Sequence, residues 1–457
     1  MERRFEIRLQ QLLAQAEVPP QALGDGLRHL EEFLRPFIAH YRRPEQRVNA
    51  RAYVSGLVSD LESKTAEGIA YLHDRDRQGL QKFVGQGTWD EQPLIRELVR
   101  QVADELGERD GVLVFDPSAF AKKGTASVGV ARQWCGRLGK IDNCQVGVYL
   151  GYVSRKEHAL VDVRLYLSRE WTGDRVRRRE AGVPRDVRFR TRHALALAML
   201  DAHATALPHG WIAGDDEMGK SAEFRGDLRS RHECYLLAVP GNTLVRDLEA
   251  EPPAYGGHGS QPRVAFARAE GWAAARPARA WESVEVRAGS KGPLVVEGVR
   301  VRVQTMYQRH REGPEELLVV FRERQGDGSW KHDYLLSNAP PETPLAELAR
   351  VFKAEHRIEE CLQRAKGEAG LADYEVRNWV GWHHHQALSL VAAWFLTRET
   401  RRGKNADRGP DGSAGPLDDR VAAPPRLTTR RADLHRPHPY PLVAPQRDRP
   451  VLSLEKT

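Results

Sequence analysis

Cysteine is scarce, and the four thiols (Cys135, Cys144, Cys234 and Cys361) form no Cys-x-x-Cys pair. That excludes the common zinc-finger spacings and a disulfide framework, and it fits a reducing cytosol. Long apolar runs are missing too. The longest apolar window, near residues 388–396, is too short to span a bilayer and suits a core helix. The opening residues, MERRFEIRLQ, lack the apolar segment of a secretory signal. No Gly-rich phosphate loop of the P-loop type occurs, and no Ser-His-Asp arrangement has a recognisable local context. The sequence therefore predicts a cytoplasmic protein with no membrane partner.

What is present suits a large globular chain. It has 457 residues, of which 40% are hydrophobic, enough for two or three domains with cores of their own. Seventy basic residues against 63 acidic ones give a net charge of +7. This balance is compatible with a nucleic-acid partner without requiring one.

Along the chain, residues 1–108 carry apolar positions at helical spacing, over 5–16, 27–41, 52–70, 80–84 and 94–106. Pro19, Pro20, Pro36 and Pro44 punctuate them, and basic residues such as Arg42, Arg43, Arg47 and Arg51 are interleaved. A helical bundle is expected, either gripping DNA or presenting a solvated basic face. A second unit starts at Gly111. Val112-Leu113-Val114-Phe115 reads as a short strand buried on both faces, ending in Asp116. A basic, Gly-rich loop follows, then strands over 145–153 and 159–167 and a helix over 190–206. Trp211-Ile212-Ala213 is another short strand, again ending in acids, Asp215-Asp216. A helix over 221–231 and a strand over 234–239 complete the set. Sites gather at the carboxyl ends of strands in open α/β sheets, so Asp116 and Asp215 are expected to be neighbours.

The helix predicted over 351–366 (VFKAEHRIEECLQRAK) supplies the third acid. Val351, Ala354, Ile358, Cys361 and Ala365 form its buried stripe. Phe352, Glu355, Glu359, Leu362 and Lys366 lie one residue further round, so Glu359 sits at the shoulder with Lys366 two turns along. Carboxylates converging from three places suit a hard divalent cation, Mg²⁺ or Mn²⁺, and a two-metal arrangement suits phosphodiester chemistry.

Residues 283–337 read as an inserted β-rich segment, with strands over 284–287, 293–303, 317–322 and 332–336. Trp330, beside a Gly-Asp-Gly-Ser turn, can stack on an unpaired base or pack as a half-buried hairpin residue. Lys122 and Lys123, in the loop after Asp116, are placed to neutralise phosphates or simply to be solvated. His383-His384-His385 reads as helix packing, because successive helical residues point to different sides.

Three blocks carry a family resemblance. They are VLVFDPSAFAKKGTASVGVARQW with GKIDNCQVGVYLGYVS after it, GWIAGDDEMG, and HRIEECLQRAKGEAGLADYEVRNWVGWHHHQALSL. Together they resemble the DDE transposases of bacterial insertion sequences, nearest the IS701 group within the broader IS4-like set. The resemblance implies an α/β fold, an RNase H-like mixed sheet flanked by helices. It also implies an N-terminal helical domain and an inserted β subdomain. It implies metal-dependent cleavage and strand transfer at terminal inverted repeats, with double-stranded element and target DNA as partners and a homodimer in the synaptic complex. Asp116 stands at the first catalytic acid. Asp215 stands at the second, followed by Gly219 in an Asp-x-x-x-Gly pattern, with Asp216 as the alternative. Glu359 and Lys366 match the acid and the lysine of the Tyr-x2-Arg-x3-Glu-x6-Lys signature. Phe352 and Glu355 depart from its Tyr and Arg, leaving Arg357 as a substitute phosphate ligand.

The expected division is 1–108 helical and DNA-binding, 109–245 first part of the catalytic core, 246–340 inserted β subdomain, and 341–400 the helical part with the catalytic Glu. Residues 401–457 hold 9 of the 27 prolines and read as a disordered tail, translated out of frame from around Lys404. Two other functions remain open: a catalytically impaired, transposase-derived DNA-binding protein, and an RNase H-like nuclease of DNA repair.

Overall fold

A computed structural model describes residues 20–287, 294–308 and 311–406. The helix expected over 5–16 and residues 407–457 of the tail lie outside them. Five helices come first: α1 (Pro20–Ile38), α2 (Pro44–Leu57), α3 (Ala66–Leu72), α4 (Arg77–Gly85) and α5 (Gln92–Leu106). The single helix expected over 52–70 is in fact α2 and α3. The Thr65 side chain caps α3 by accepting from the Gly68 amide, and Gly56 lets Ile69 pack directly on the α2 backbone. Buried Lys64, between them, donates to the Leu57 carbonyl at 2.8 Å and the Glu368 carbonyl at 2.5 Å. A cation there satisfies the carboxyl ends of two helices that are far apart in sequence.

The strands are β1 (Val112–Ala121), β2 (Ala131–Cys135), β3 (Lys140–Val153), β4 (His158–Leu165), β5 (Trp211–Gly214) and β6 (Tyr235–Val239). After them come β7 (Leu244–Asp247), β8 (Ala267–Arg268), β9 (Glu282–Arg287), β10 (Leu294–Gln308), β11 (Arg311–Arg324) and β12 (Trp330–Ser337). β1 pairs antiparallel with β3 and parallel with β5, which pairs parallel with β6. β4 lies on the other side of β3. Short helices α6 (Arg169–Gly173) and α7 (Arg175–Glu180), then α8 (Arg192–His203), α9 (Asp216–Gly219) and α10 (Ala222–Ser230), make the connections. This is the mixed sheet flanked by helices that the RNase H-like expectation requires.

Two differences from the sequence reading bear on the site. The loop expected after Asp116 contains β2, whose five residues are too few to show a strand period beside the glycines. β1 also continues past Asp116 to Ala121 against β3, while its parallel pairing with β5 stops at Phe115–Gly214. Asp116 therefore marks where one neighbour ends, not where the strand ends. Pro117 follows without disruption, because β1 has become an edge on that side.

Inserted strands extend the same sheet. β12 pairs antiparallel with β6, and β11, β10, β7 and β8 follow outward, giving twelve strands among the described residues. Val245, Trp272, Val303, Val320 and Leu336 form a second, smaller core on this extension, where α11 (Ala269–Ala274) packs. α12 (Leu345–Glu368) packs across the core strands, β1, β3, β4, β5 and β6 among them. α13 (Trp379–Ala406) follows, and residues 381–395 are all buried, polar His383–Gln386 and Ser389 included. One apolar core runs from the N-terminal helices through β1–β6 to α12 and α13. The histidine run packs there. His384 stacks on Trp89 at 3.5 Å with its nitrogens facing the Val84 and Trp89 carbonyls, and His385 meets the Tyr53 hydroxyl at 2.8 Å.

Candidate active site

Asp116 and Asp215 follow directly on the paired residues Phe115 and Gly214 of two adjacent parallel strands. Strands lie about 4.8 Å apart, so the two carboxylates emerge side by side. Asp215 caps α9, accepting from the Met218 amide at 3.1 Å. Gly219 closes this short helix against β6: a Cβ there would lie 1.8 Å from the Ala238 carbonyl oxygen. Asp216, the alternative second acid, is exposed in the first turn of α9.

α12 brings the remaining charges. Its expected apolar stripe is buried, and Ile358 sits over Gly151, where no side chain would fit. Lys366 Nζ donates to Ser118 Oγ at 2.7 Å, two residues beyond Asp116, and lies 5.1 Å from the Phe120 ring. Phe352 stacks on Phe321 at 5.3 Å, an apolar use for a position where the signature has Tyr.

The two glutamates on this face differ. The Glu359 side chain is 60% exposed and 3.6 Å from His356. Glu355, one turn earlier, is half-buried and faces the aspartates. Burial first, and then repulsion from Asp215, Asp116 and Glu359, pushes its carboxyl up to about 8. Burial, followed by Asp116, pushes Asp215 to about 7. Asp116 rises to about 6 through burial, with Lys366 opposing the rise and Glu359 and Glu217 adding to it. All four acids therefore share one electrostatic neighbourhood, with Glu359 at its rim and Glu355 inside. Sequence reasoning put Glu355 on the shoulder that carries Glu359 but gave it no role beyond a reversed charge at an arginine position. The available signal was its i, i+4 spacing to Glu359 on the same shoulder.

A cavity of about 400 Å³ opens beside Asp215, lined by Pro117, Trp134, Arg192, Glu217 and Lys220 among others. Arg192 is fixed there by Glu217 at 2.6 Å and by Gln133 at 3.3 Å. Among the expected DNA ligands, Lys123 is exposed. Lys122 is half-buried over the Tyr374 ring at 3.5 Å, and burial lowers it to about 8. Arg357 is half-buried on α12. Trp330 is 38% exposed and packs against the Arg322 guanidinium at 4.2 Å. Arg322 also stacks on Trp281 at 4.1 Å.

The donor set fits a hard divalent cation: oxygen ligands only, mutually repelling, with burial holding them together. Among the described residues, no three of His, Cys, Asp and Glu are gathered closely enough to hold a metal ion as they stand. The chemistry of the donors fits, and the side chains are not closed around a point.

A family model described as a DDE superfamily endonuclease matches residues 36–293. The chain belongs to this family. The match takes in Asp116 and Asp215 and ends before α12. A probable transposase for insertion sequence element IS701, from Microchaete diplosiphon, is 26% identical over 205 residues, 44% of this chain. The chain spans 50% of that relative's length. A solved piggyBac transposase synaptic complex with hairpin DNA is 10% identical, with a TM-score of 0.37, over 84% of this chain and 74% of that one. No helix among the described residues is long and apolar enough to cross a membrane.

Proposed function

We propose that this DDE-family chain is a transposase that cleaves DNA at the terminal inverted repeats of an insertion sequence and joins the freed ends to target DNA. The observation that carries this reading is the pair Asp116 and Asp215, side by side at the ends of parallel β1 and β5, under the acidic face of α12. The named relative supports the insertion-sequence context. Asp116, Asp215 and Glu359 are the residues that would hold Mg²⁺ or Mn²⁺. When bound, the cation supplies activation of the attacking oxygen and relief of charge on the leaving one.

The side chains supply the rest. Ser118 holds Lys366 beside Asp116, where its ammonium can take a phosphate oxygen flanking the scissile bond. Lys123 extends the basic rim, and Lys122 joins it on leaving its ring contact, whereas Arg357, two residues on from Glu355, would meet a phosphate only on the opposite shoulder of α12. Trp330 starts β12, the strand that also carries Asp333, a further acid pressing on Glu355. Strand alternation turns Trp330 to the face opposite Asp333, beside Arg322 and Trp281, so a base stacked on it would lie across the sheet from the acids. Two protomers acting on two ends account for synapsis.

The test is cleavage of a plasmid carrying the element's ends. Asp116→Asn or Asp215→Asn should lower cleavage by about a thousandfold, the loss of several kcal/mol of charge stabilisation, with end binding retained. Near-normal cleavage by either variant removes that residue from the site. The exposure of Glu359 favours a second reading, a DNA-binding relative with impaired catalysis. That reading requires wild-type protein to bind ends without cutting them.

A further inference from the structure

We propose that the surface leading from Lys122 across the β2–β3 hairpin to α7 is a track for duplex DNA, gripped through its phosphates as it leaves the site. The inference rests on the reading of this chain as an enzyme that cleaves DNA, and it adds the path that the duplex takes beyond Lys122.

Charge is the first argument. Residues 122–143 hold five basic side chains and one acidic one, and residues 169–192 hold nine and four. The two segments together exceed the net charge of +7 carried by all 457 residues, so the remainder of the chain is slightly acidic. A modest overall balance thus conceals one concentrated basic surface. The segments are folded against each other. Arg177 donates to the Thr125 and Val130 carbonyls at 2.7 and 3.0 Å, and Trp171 Nε1 donates to the Val130 carbonyl at 2.7 Å. The arginines divide by task. Arg177 lies over the Trp171 ring at 3.8 Å, and Arg178 donates to the Pro184 and Val187 carbonyls, both at 2.8 Å, so these two hold the segment together. Arg132, Arg175 and Arg179 are exposed. Arg175 and Arg179 are one turn apart and share a side of α7.

Continuity with the site is the second argument. Asp116, Ser118 and Phe120 alternate onto one face of β1, with Lys122 next in line, and Lys366 meets both Ser118 and Phe120. Asn143 of β3 donates to the Lys122 and Gly124 carbonyls at 2.7 and 2.9 Å, which ties that line to the hairpin. Beyond Asn143 the hairpin presents Trp134 and Ile141, directly opposite in register and 54% and 60% exposed. Arg132, opposite Asn143, shares their face. Exposed apolar side chains gathered in one hairpin mark a contact surface, and the cations around them make its partner an anion. From Tyr149, opposite Asp116, to Lys140 at the start of β3 is about 30 Å, the length of about nine base pairs.

The experiment measures binding of the full chain to a fluorescent duplex of arbitrary sequence, about 30 base pairs long, over a range of salt. Replacing both Arg175→Ala and Arg179→Ala should weaken binding about tenfold and reduce the slope of log affinity against log salt by about two. Arg132→Ala should reduce the slope by about one. Trp134→Ala should weaken binding about fivefold and leave the slope unchanged. These side chains are exposed, so melting temperatures should match wild type. The same losses are expected on a duplex that carries the element's ends. Wild-type affinity and slope in the double arginine variant overturn the inference, as does a loss confined to the element's ends. A changed oligomeric state in Trp134→Ala with DNA affinity intact assigns the hairpin to a second copy of the chain and also overturns it. Wild-type duplex binding without cleavage of element ends would sink the transposase reading and leave this one standing.

Discussion

Glu355 and Glu359 are one helical turn apart, yet one is half-buried and the other is 60% exposed. Periodicity places both on the same shoulder of α12 but does not say how deeply that shoulder is set. The depth is decided by Gly151, under Ile358, and by the Asp110 carbonyl, to which Arg350 donates, some two hundred residues earlier. Asp116 and Asp215 were legible for a local reason: each ends a short apolar run, and such runs become buried parallel strands. Lys366 was legible as a helix position, whereas its anchor Ser118 was not. One outcome belongs at this scale. Lys366 holds Asp116 below the value that burial alone would give. Lys366→Met should therefore raise that carboxyl, and the acid limb of the cleavage pH profile should move to higher pH. An unmoved limb would mean that Lys366 does not act on Asp116.

Among elements, α9 shows most directly how packing fixes a candidate site side chain. It has four residues, begins at the cap made by Asp215 and ends at Gly219. The Asp-x-x-x-Gly spacing has a steric cause: any side chain at 219 strikes the backbone of β6, which cannot yield as a flexible side chain could. Gly219→Ala should destabilise the protein by about 3 kcal/mol, near the upper end for overpacking, measured by urea denaturation. It should also lower cleavage, because Asp215 moves with the cap. Gly151→Ala is milder. Its Cβ would approach Ile358 Cδ1 to 2.4 Å, and a simultaneous Ile358→Ala change should recover part of the loss. Elements that escaped sequence reading were the ones with weak local signals. β2 is five residues of mixed exposure, and the break between α2 and α3 depends on Lys64 reaching Glu368 across the fold.

At the scale of the whole molecule, the inserted strands were legible as strands, since β10, β11 and β12 alternate or run apolar. Their continuity with the core was not, because pairing between β6 and β12 joins residues about a hundred positions apart. A buried polar group secures that seam. Glu316 on β11 accepts from Arg225 of α10 at 2.8 Å, from the Tyr235 hydroxyl at 2.6 Å and from Thr305 at 2.6 Å. Burial is the largest single influence and works to raise the Glu316 carboxyl, but Arg225, Thr305 and Tyr235 together hold it below its ordinary value. A lowered folded-state value contributes stability above the unfolded value, about 4.3, that is lost as pH falls through the folded one. Glu316→Gln should thus cost about 3–5 kcal/mol at neutral pH by stranding a buried guanidinium. It should also flatten the fall of melting temperature in the acid range. A variant with wild-type acid sensitivity would place the seam's strength elsewhere.

That seam also decides what kind of motion is open to the inserted strands. A module hung on a loop can swing, whereas one hydrogen-bonded along β6 transmits torque. Force on the far tip of β10 and β11 would reach β5 as a change of twist, at the strand whose last residue precedes Asp215. The outer strands are then a lever on the spacing of the acids, not a lid over them.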